Sequence, residues 1–158
     1  MAPRYWLLKS EPTSFSIADL GRAPKQTAFW DGVRNYQARN LLRDEMKLGD
    51  GVLFYHSNAA PPAVAGTATV VGEGEVDPSQ FDAAHDYHDP AAKPAEPRWY
   101  GVRIKLDRVF DNLVSLETIR ATPALAEMVL VQRSRLSVQP VTAKEWKTIL
   151  ALATSARH

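Results

Sequence analysis

A chain of 158 residues, 45% apolar and 23% charged, has ordinary globular composition and enough length to bury a core without metals or disulfides. The absence of cysteine excludes disulfides, thiolate metal sites and cysteine nucleophiles, and the expectation is a reducing compartment, the cytoplasm. The formal net charge of +1 hides an uneven spread: residues 1–58 carry eight Lys/Arg against six Asp/Glu, residues 59–97 one against seven, and residues 98–158 ten against five.

In chain order, Tyr5-Trp6-Leu7-Leu8 is an aromatic-rich apolar run halted by Lys9-Ser10-Glu11-Pro12, the pattern of a buried strand ending in a turn. Ser16, with Asp19 three residues later, starts a helix through a capping-box pattern. Arg34 to Lys47 has the clearest helical period, with Ala38, Leu41, Leu42 and Met46 on one side and Gly49 as its stop. Gly51 to His56 and Ala63 to Glu75, separated by Pro61-Pro62, read as two antiparallel strands. Asp77 to Pro97, rich in Pro, Ala, His and acids, reads as an exposed irregular loop. Tyr100 to Phe110 alternates Val102, Ile104 and Leu106 with Arg103, Lys105 and Asp107, as a half-buried strand does. Leu116 to Ile119 and Pro123 to Met128 read as short helical turns, and Leu136 to Val141 as a strand. Thr142 and Glu145 form a second capping box, opening a helix that runs to Ala153.

Met1 to Lys9 lacks a signal-peptide core, and no apolar run approaches the ~18 residues of a membrane span, so neither secretion nor membrane anchoring is expected. One α+β domain is expected over residues 1–158, with its core at about 4–150: a twisted barrel of about five or six strands flanked by helices. Strand and helix do not alternate regularly, which argues against a doubly wound parallel sheet.

Four separated segments, Tyr5 to Pro12, Trp30 to Asn40, Phe54 to Asn58 and Arg135 to Val141, resemble in sequence and order those of the EVE domain family. The match extends from about Arg4 to Leu150 and is loosest between Asp82 and Pro97, where only Asp89-Pro90 and Glu96-Pro97-Arg98-Trp99 fit the pattern. The resemblance implies a PUA-like barrel related to YTH and ASCH domains, whose better understood members bind RNA or modified bases. It implies no established catalytic activity, and no cofactor is expected.

Read physically, a base lifted from its stack loses stacking, and an aromatic platform replaces it at about 1–3 kcal/mol per base. Trp30 is the first candidate platform, because it precedes the turn pair Asp31-Gly32 and stands just ahead of a helix; the alternative is a core tryptophan. On the platform reading, Trp30→Ala removes base-dependent binding with little loss of fold. Trp99 is the candidate second wall or, equally, a core residue. Asn35, Ser57 and Asn58 offer hydrogen bonds to a base edge, or cap local turns instead. By analogy with the related reader domains, Lys9 and Ser10 line the same mouth; the alternative is a solvated turn. Arg133 and Arg135, two residues apart, together with Arg34 and Arg39, are candidate phosphate contacts or members of a solvated basic face. A basic face forms only if the first and last segments come together while the acidic middle loops away.

The function expected is a non-catalytic module that holds a flipped-out base, plain or modified, of DNA or RNA. His85-Asp86-Tyr87-His88-Asp89 offers imidazoles and carboxylates but no well-spaced third ligand, so no metal is expected. Glu73, Glu75 and Asp77 alternate as a solvated strand edge does. Nucleophile elbows, Walker loops, dinucleotide fingerprints and zincin helices are all missing. The rival readings are a nucleotide-modifying or hydrolysing enzyme using Asp31 or Glu11 as base, and a protein-interaction module built on the 77–97 loop.

Overall fold

The computed structural model describes residues 3–132 and 135–155. Its elements run β1 (Tyr5–Ser10), α1 (Ile17–Arg22), β2 (Thr27–Phe29), α2 (Tyr36–Asn40), β3 (Gly51–His56), β4 (Ala63–Val76), β5 (Tyr100–Ser115), α3 (Leu116–Ala121), α4 (Val129–Gln132), β6 (Val138–Val141) and α5 (Ala143–Ser155). The strands form one sheet in the order β2-β5-β4-β3-β1-β6; β1 and β3 are parallel, and every other neighbouring pair is antiparallel.

The six-stranded sheet flanked by helices is the α+β arrangement expected from the sequence, but the sheet is open, so the twisted barrel does not close. Closure requires the two edge strands to pair. Here the edges are β2, three residues long, and β6, four residues long, and no ladder joins them among the described residues. The long strands β4 and β5, of 14 and 16 residues, pair through several register shifts, and such bulges bend and twist a sheet.

Both faces of the sheet are covered, and strand alternation assigns each side chain to one of two cores. Trp6 and Leu8 of β1 pack into one core with Leu20, Trp30, Leu42 and Phe54; Leu7 packs into the other with Leu53, Tyr55, Ile119 and Ile149. Burial on both faces is why Trp6-Leu7-Leu8 and Val52 to Tyr55 read as unbroken apolar runs.

Helix α1 starts at the Ser16–Asp19 capping box, and Thr142 with Glu145 makes the reciprocal bonds before α5 (3.0 and 3.1 Å). The expected helix over Arg34–Lys47 is shorter than its periodicity implied. Asn35 caps α2, which widens into one π-type turn over Leu41–Glu45. Ala38, Leu42 and Met46 still reach the core across this change of pitch.

The 77–97 loop also departs from expectation, because its first residues are not exposed. Asp77 and Gln80 are fully buried and Ser79 nearly so. The Gln80 amide donates to the carbonyls of Asp77 (2.7 Å) and Trp99 (2.9 Å) and accepts from the amides of Arg98 (2.9 Å) and Trp99 (3.0 Å). A satisfied buried amide of this kind ties the loop to the start of β5. No described helix is long and apolar enough to cross a membrane.

Candidate functional site

Because β1 and β3 are parallel neighbours, their carboxyl ends emerge side by side and bring Lys9-Ser10 next to Ser57, whose amide donates to the Ser10 carbonyl at 2.9 Å. These residues form one rim of a cavity of about 620 Å³, within the range of small-molecule sites. The opposite wall is Phe29 to Arg34, reached from β2; Phe15, His85, Tyr87 and Arg135 complete the lining.

Trp30 is held from several sides. Its amide donates to the Val102 carbonyl at 2.7 Å, and a Cβ added at Gly101 would stand 2.0 Å from the Trp30 carbonyl oxygen, so β5 comes this close only with glycine there. The indole meets Phe54 (5.4 Å between centroids) and Phe15 (6.3 Å) edge to face and keeps 8% of its surface exposed. Trp30 is therefore a core residue that also borders the cavity.

Tyr87 is the most exposed of the Phe, Trp and Tyr rings on the cavity wall, at 41%. It lies over Gly32, where an added Cβ would meet the ring at 2.5 Å and where φ is +78°. Gly32→Ala is thus expected to strain the turn and displace the ring, lowering stability by about 1–2 kcal/mol; a thermal melt followed by circular dichroism measures it.

Beneath this turn lies buried Asp77, which accepts from the Gly32 amide (2.8 Å), Arg34 Nη1 (3.1 Å), and the amide (2.9 Å) and hydroxyl (2.6 Å) of Ser79. Burial alone would push its carboxyl up; the bonds from Ser79, Gly32 and Arg34 outweigh that and hold it below the usual carboxylate range. The neighbouring Asp31 shifts the other way, raised first by desolvation and then by the negative charge of Asp77. Lys9 is lowered by burial, with Nζ 5.8 Å from the centroid of the Tyr55 ring.

Of the residues singled out from sequence, the structure brings Lys9, Ser10, Trp30, Arg34, Ser57 and Arg135 to this cavity. Arg34 lines it but commits its guanidinium to the Val33 and Tyr87 carbonyls, Asp77 and Ser79, so it works as a clip for the loop. Asn35, Asn58, Trp99 and Arg39 fall outside the lining. Asn35 is a helix cap, its Oδ1 accepting from the Ala38 amide at 2.9 Å, and Asn58 donates to Glu11 at 2.9 Å. Trp99 is 5% exposed, stacked on Tyr36 at 4.9 Å, and donates from Nε1 to Asp89 at 2.7 Å. Arg39 donates to the Arg98 carbonyl at 2.6 Å, with its guanidinium 4.9 Å from the Tyr36 ring centroid. Arg133 lies outside the described residues.

Phe15, Phe29 and Tyr87 were missed as walls. Phe29 stands next to Trp30 in sequence, a usable signal; Phe15 and Tyr87 reach the cavity only through tertiary packing. Among the described residues no group of three or more His, Asp or Glu side chains is placed to hold a metal ion. His85 instead accepts the Tyr87 amide at Nδ1 (3.1 Å) and faces the cavity.

The EVE domain model matches residues 4–152. Mouse thymocyte nuclear protein 1 is 44% identical over 165 aligned residues, covering 94% of this chain and 73% of its own length. The solved structure of a hypothetical protein from Leishmania major is 43% identical, with a TM-score of 0.94, and the match covers 99% of this chain and 98% of that one. The crystal structure of human THYN1 protein, in complex with DNA containing 5-methylcytosine, is 40% identical with a TM-score of 0.91, over 95% and 97% of the two chains. These neighbours share the mixed α+β, PUA-like arrangement of sheet and helices described above. The chain belongs to the EVE domain family.

Proposed function

We propose that this chain binds nucleic acid without catalysing a reaction on it, and that the cavity takes one base lifted from its stack, with 5-methylcytosine as the first candidate. The observation that carries this reading is the cavity itself: about 620 Å³, walled by Phe15, Phe29, Trp30 and Tyr87 and bordered by the cations Lys9 and Arg135. Rings replace the stacking a flipped base gives up, and cations meet the phosphates beside it. The complex of the human relative with methylcytosine-containing DNA supports the same ligand class. A slot of this kind favours a methylated base by about 0.8 kcal/mol for the added methyl.

Fluorescence anisotropy with short DNA and RNA strands, methylated and plain, at two salt concentrations tests the reading. Tyr87→Ala is expected to weaken binding roughly 5- to 150-fold while the fold persists, because its ring contributes as a stacking wall and is exposed. Arg135→Ala should weaken all sequences alike and reduce the salt slope by about one. Binding that follows salt alone, indifferent to base identity and to Tyr87→Ala, would leave only a cationic surface.

A further inference from the structure

Two carboxylates line the cavity, and their hydrogen bonding differs. Glu11 accepts from the Asn58 amide nitrogen. Asp31 is an exposed residue on the wall beside Trp30; its carboxyl is bonded by its own backbone amide, and among the described residues no other residue donates a hydrogen bond to it. The donors next to it are engaged elsewhere: the Gly32 amide and the Arg34 guanidinium both turn to Asp77. When a planar ligand fills the cavity and displaces water from this carboxyl, a proton donor on the ligand takes up its remaining acceptor capacity, and an acceptor on the ligand leaves that capacity unmet. A carboxylate so near a phosphate backbone also repels the ligand unless a specific contact offsets that repulsion.

Resting on the base-binding reading above, we infer that Asp31 is a specificity-determining residue that selects a pyrimidine carrying an amino group at C4 over one carrying a carbonyl. An ionised carboxylate only accepts; the exocyclic N4 amine of cytosine or 5-methylcytosine donates to it, whereas O4 of thymine or uracil opposes it with a second acceptor. 5-Methylcytosine and thymine carry the same methyl and differ at C4 by amino against oxo, so the apolar walls cannot separate them. Asp31 can.

The contrast depends on ionisation, because a protonated carboxyl donates as well as accepts and then tolerates O4. The charged and titratable groups facing Asp31 are Asp77, His85 and Arg34, with Lys9, Glu11, Tyr87 and Arg135 around the same cavity. Burial and Asp77 hold the Asp31 carboxyl above its ordinary range, so discrimination should fade on acidification at a higher pH than for a free carboxylate.

The test uses single-stranded DNA with one central 5-methylcytosine or thymine, so that unpairing costs do not differ. The wild-type chain is expected to prefer 5-methylcytosine by about tenfold or more near neutral pH. In Asp31→Asn, whose amide accepts or donates as needed, and in Asp31→Ala, the ratio should fall towards one while circular dichroism shows the fold retained. The acid-induced loss of preference should persist in a His85→Gln background and vanish in Asp31→Asn. A preference that survives Asp31→Asn, or binding of both strands without preference, overturns the role of Asp31 alone. Failure to bind either strand overturns the base-binding reading as well, and the role with it.

Discussion

Replacing Asp77 with alanine is expected to lower folding stability by about 3 kcal/mol and the thermal midpoint by about 10 °C. The carboxylate is fully buried and accepts four hydrogen bonds, from the Gly32 amide, the Arg34 guanidinium and the amide and hydroxyl of Ser79. Removing it leaves those donors without their acceptor and a half-buried guanidinium without its counter-charge, and leaving one partner of a buried pair unmatched costs more than forming the pair gained. Arg34 keeps 23% of its side chain exposed, so the low end of the range for buried pairs applies. Urea unfolding should show a lower midpoint at unchanged slope.

The same group sets part of the acid response. The folded-state pKa of Asp77 lies below its unfolded value, so its contribution is complete above the ordinary carboxylate pKa, near 3.9, and is lost as pH falls through the depressed folded value. The stability gap between wild type and Asp77→Ala should therefore narrow progressively below about pH 4. A gap that stays constant to lower pH would show that shape, not charge, is what Asp77 contributes.

Trp30→Ala is expected to cost about 3–5 kcal/mol, as large-to-small changes at packed aromatic sites do. This reverses the expectation drawn from sequence, in which the ring served as an open platform whose loss spared the fold. With 8% of its surface exposed and two rings packed edge to face against it, the indole supports Phe15 and Phe54 as much as it borders the cavity. Chemical denaturation is the direct measurement, and Trp30→Phe, which leaves a smaller void, should recover roughly half of the loss. Binding tests belong at Tyr87, where the ring can be removed without opening the core.

Much of the fold was legible because it is local. Strand β1, strand β3 and the two capping boxes announce themselves within four to six consecutive residues, and the structure keeps them. The π-type turn after α2 was not legible, since Leu41, Leu42 and Met46 satisfy an ordinary helical period equally well. Sheet closure depends on where β2 and β6 end up relative to one another, which no local pattern encodes. The 77–97 loop misled through its composition: a buried Asp and a buried Gln look like surface residues until their partners, 45 residues upstream at Gly32 and 19 residues downstream at Trp99, are known. In the cavity, Trp30 and Ser57 were identifiable because they stand where a strand or turn meets another element, and Lys9 and Ser10 through analogy with the related reader domains, whereas Tyr87 and Phe15 had nothing in their neighbourhood to mark them. Asn35 shows the opposite error, a polar residue beside a turn whose side-chain oxygen caps its own helix.

Strand β1 sits between β3 and β6, so it is completed only by a segment far downstream of it in the chain, Tyr5 pairing with Val141. While the residues between them are being synthesised, and until residues 138–141 emerge, the β6-facing side of β1 remains an unpaired edge. Chains interrupted before that point should therefore be the aggregation-prone species in a cell, and a nascent-chain series should show protease resistance rising abruptly once β6 and the helix after it have cleared the exit tunnel.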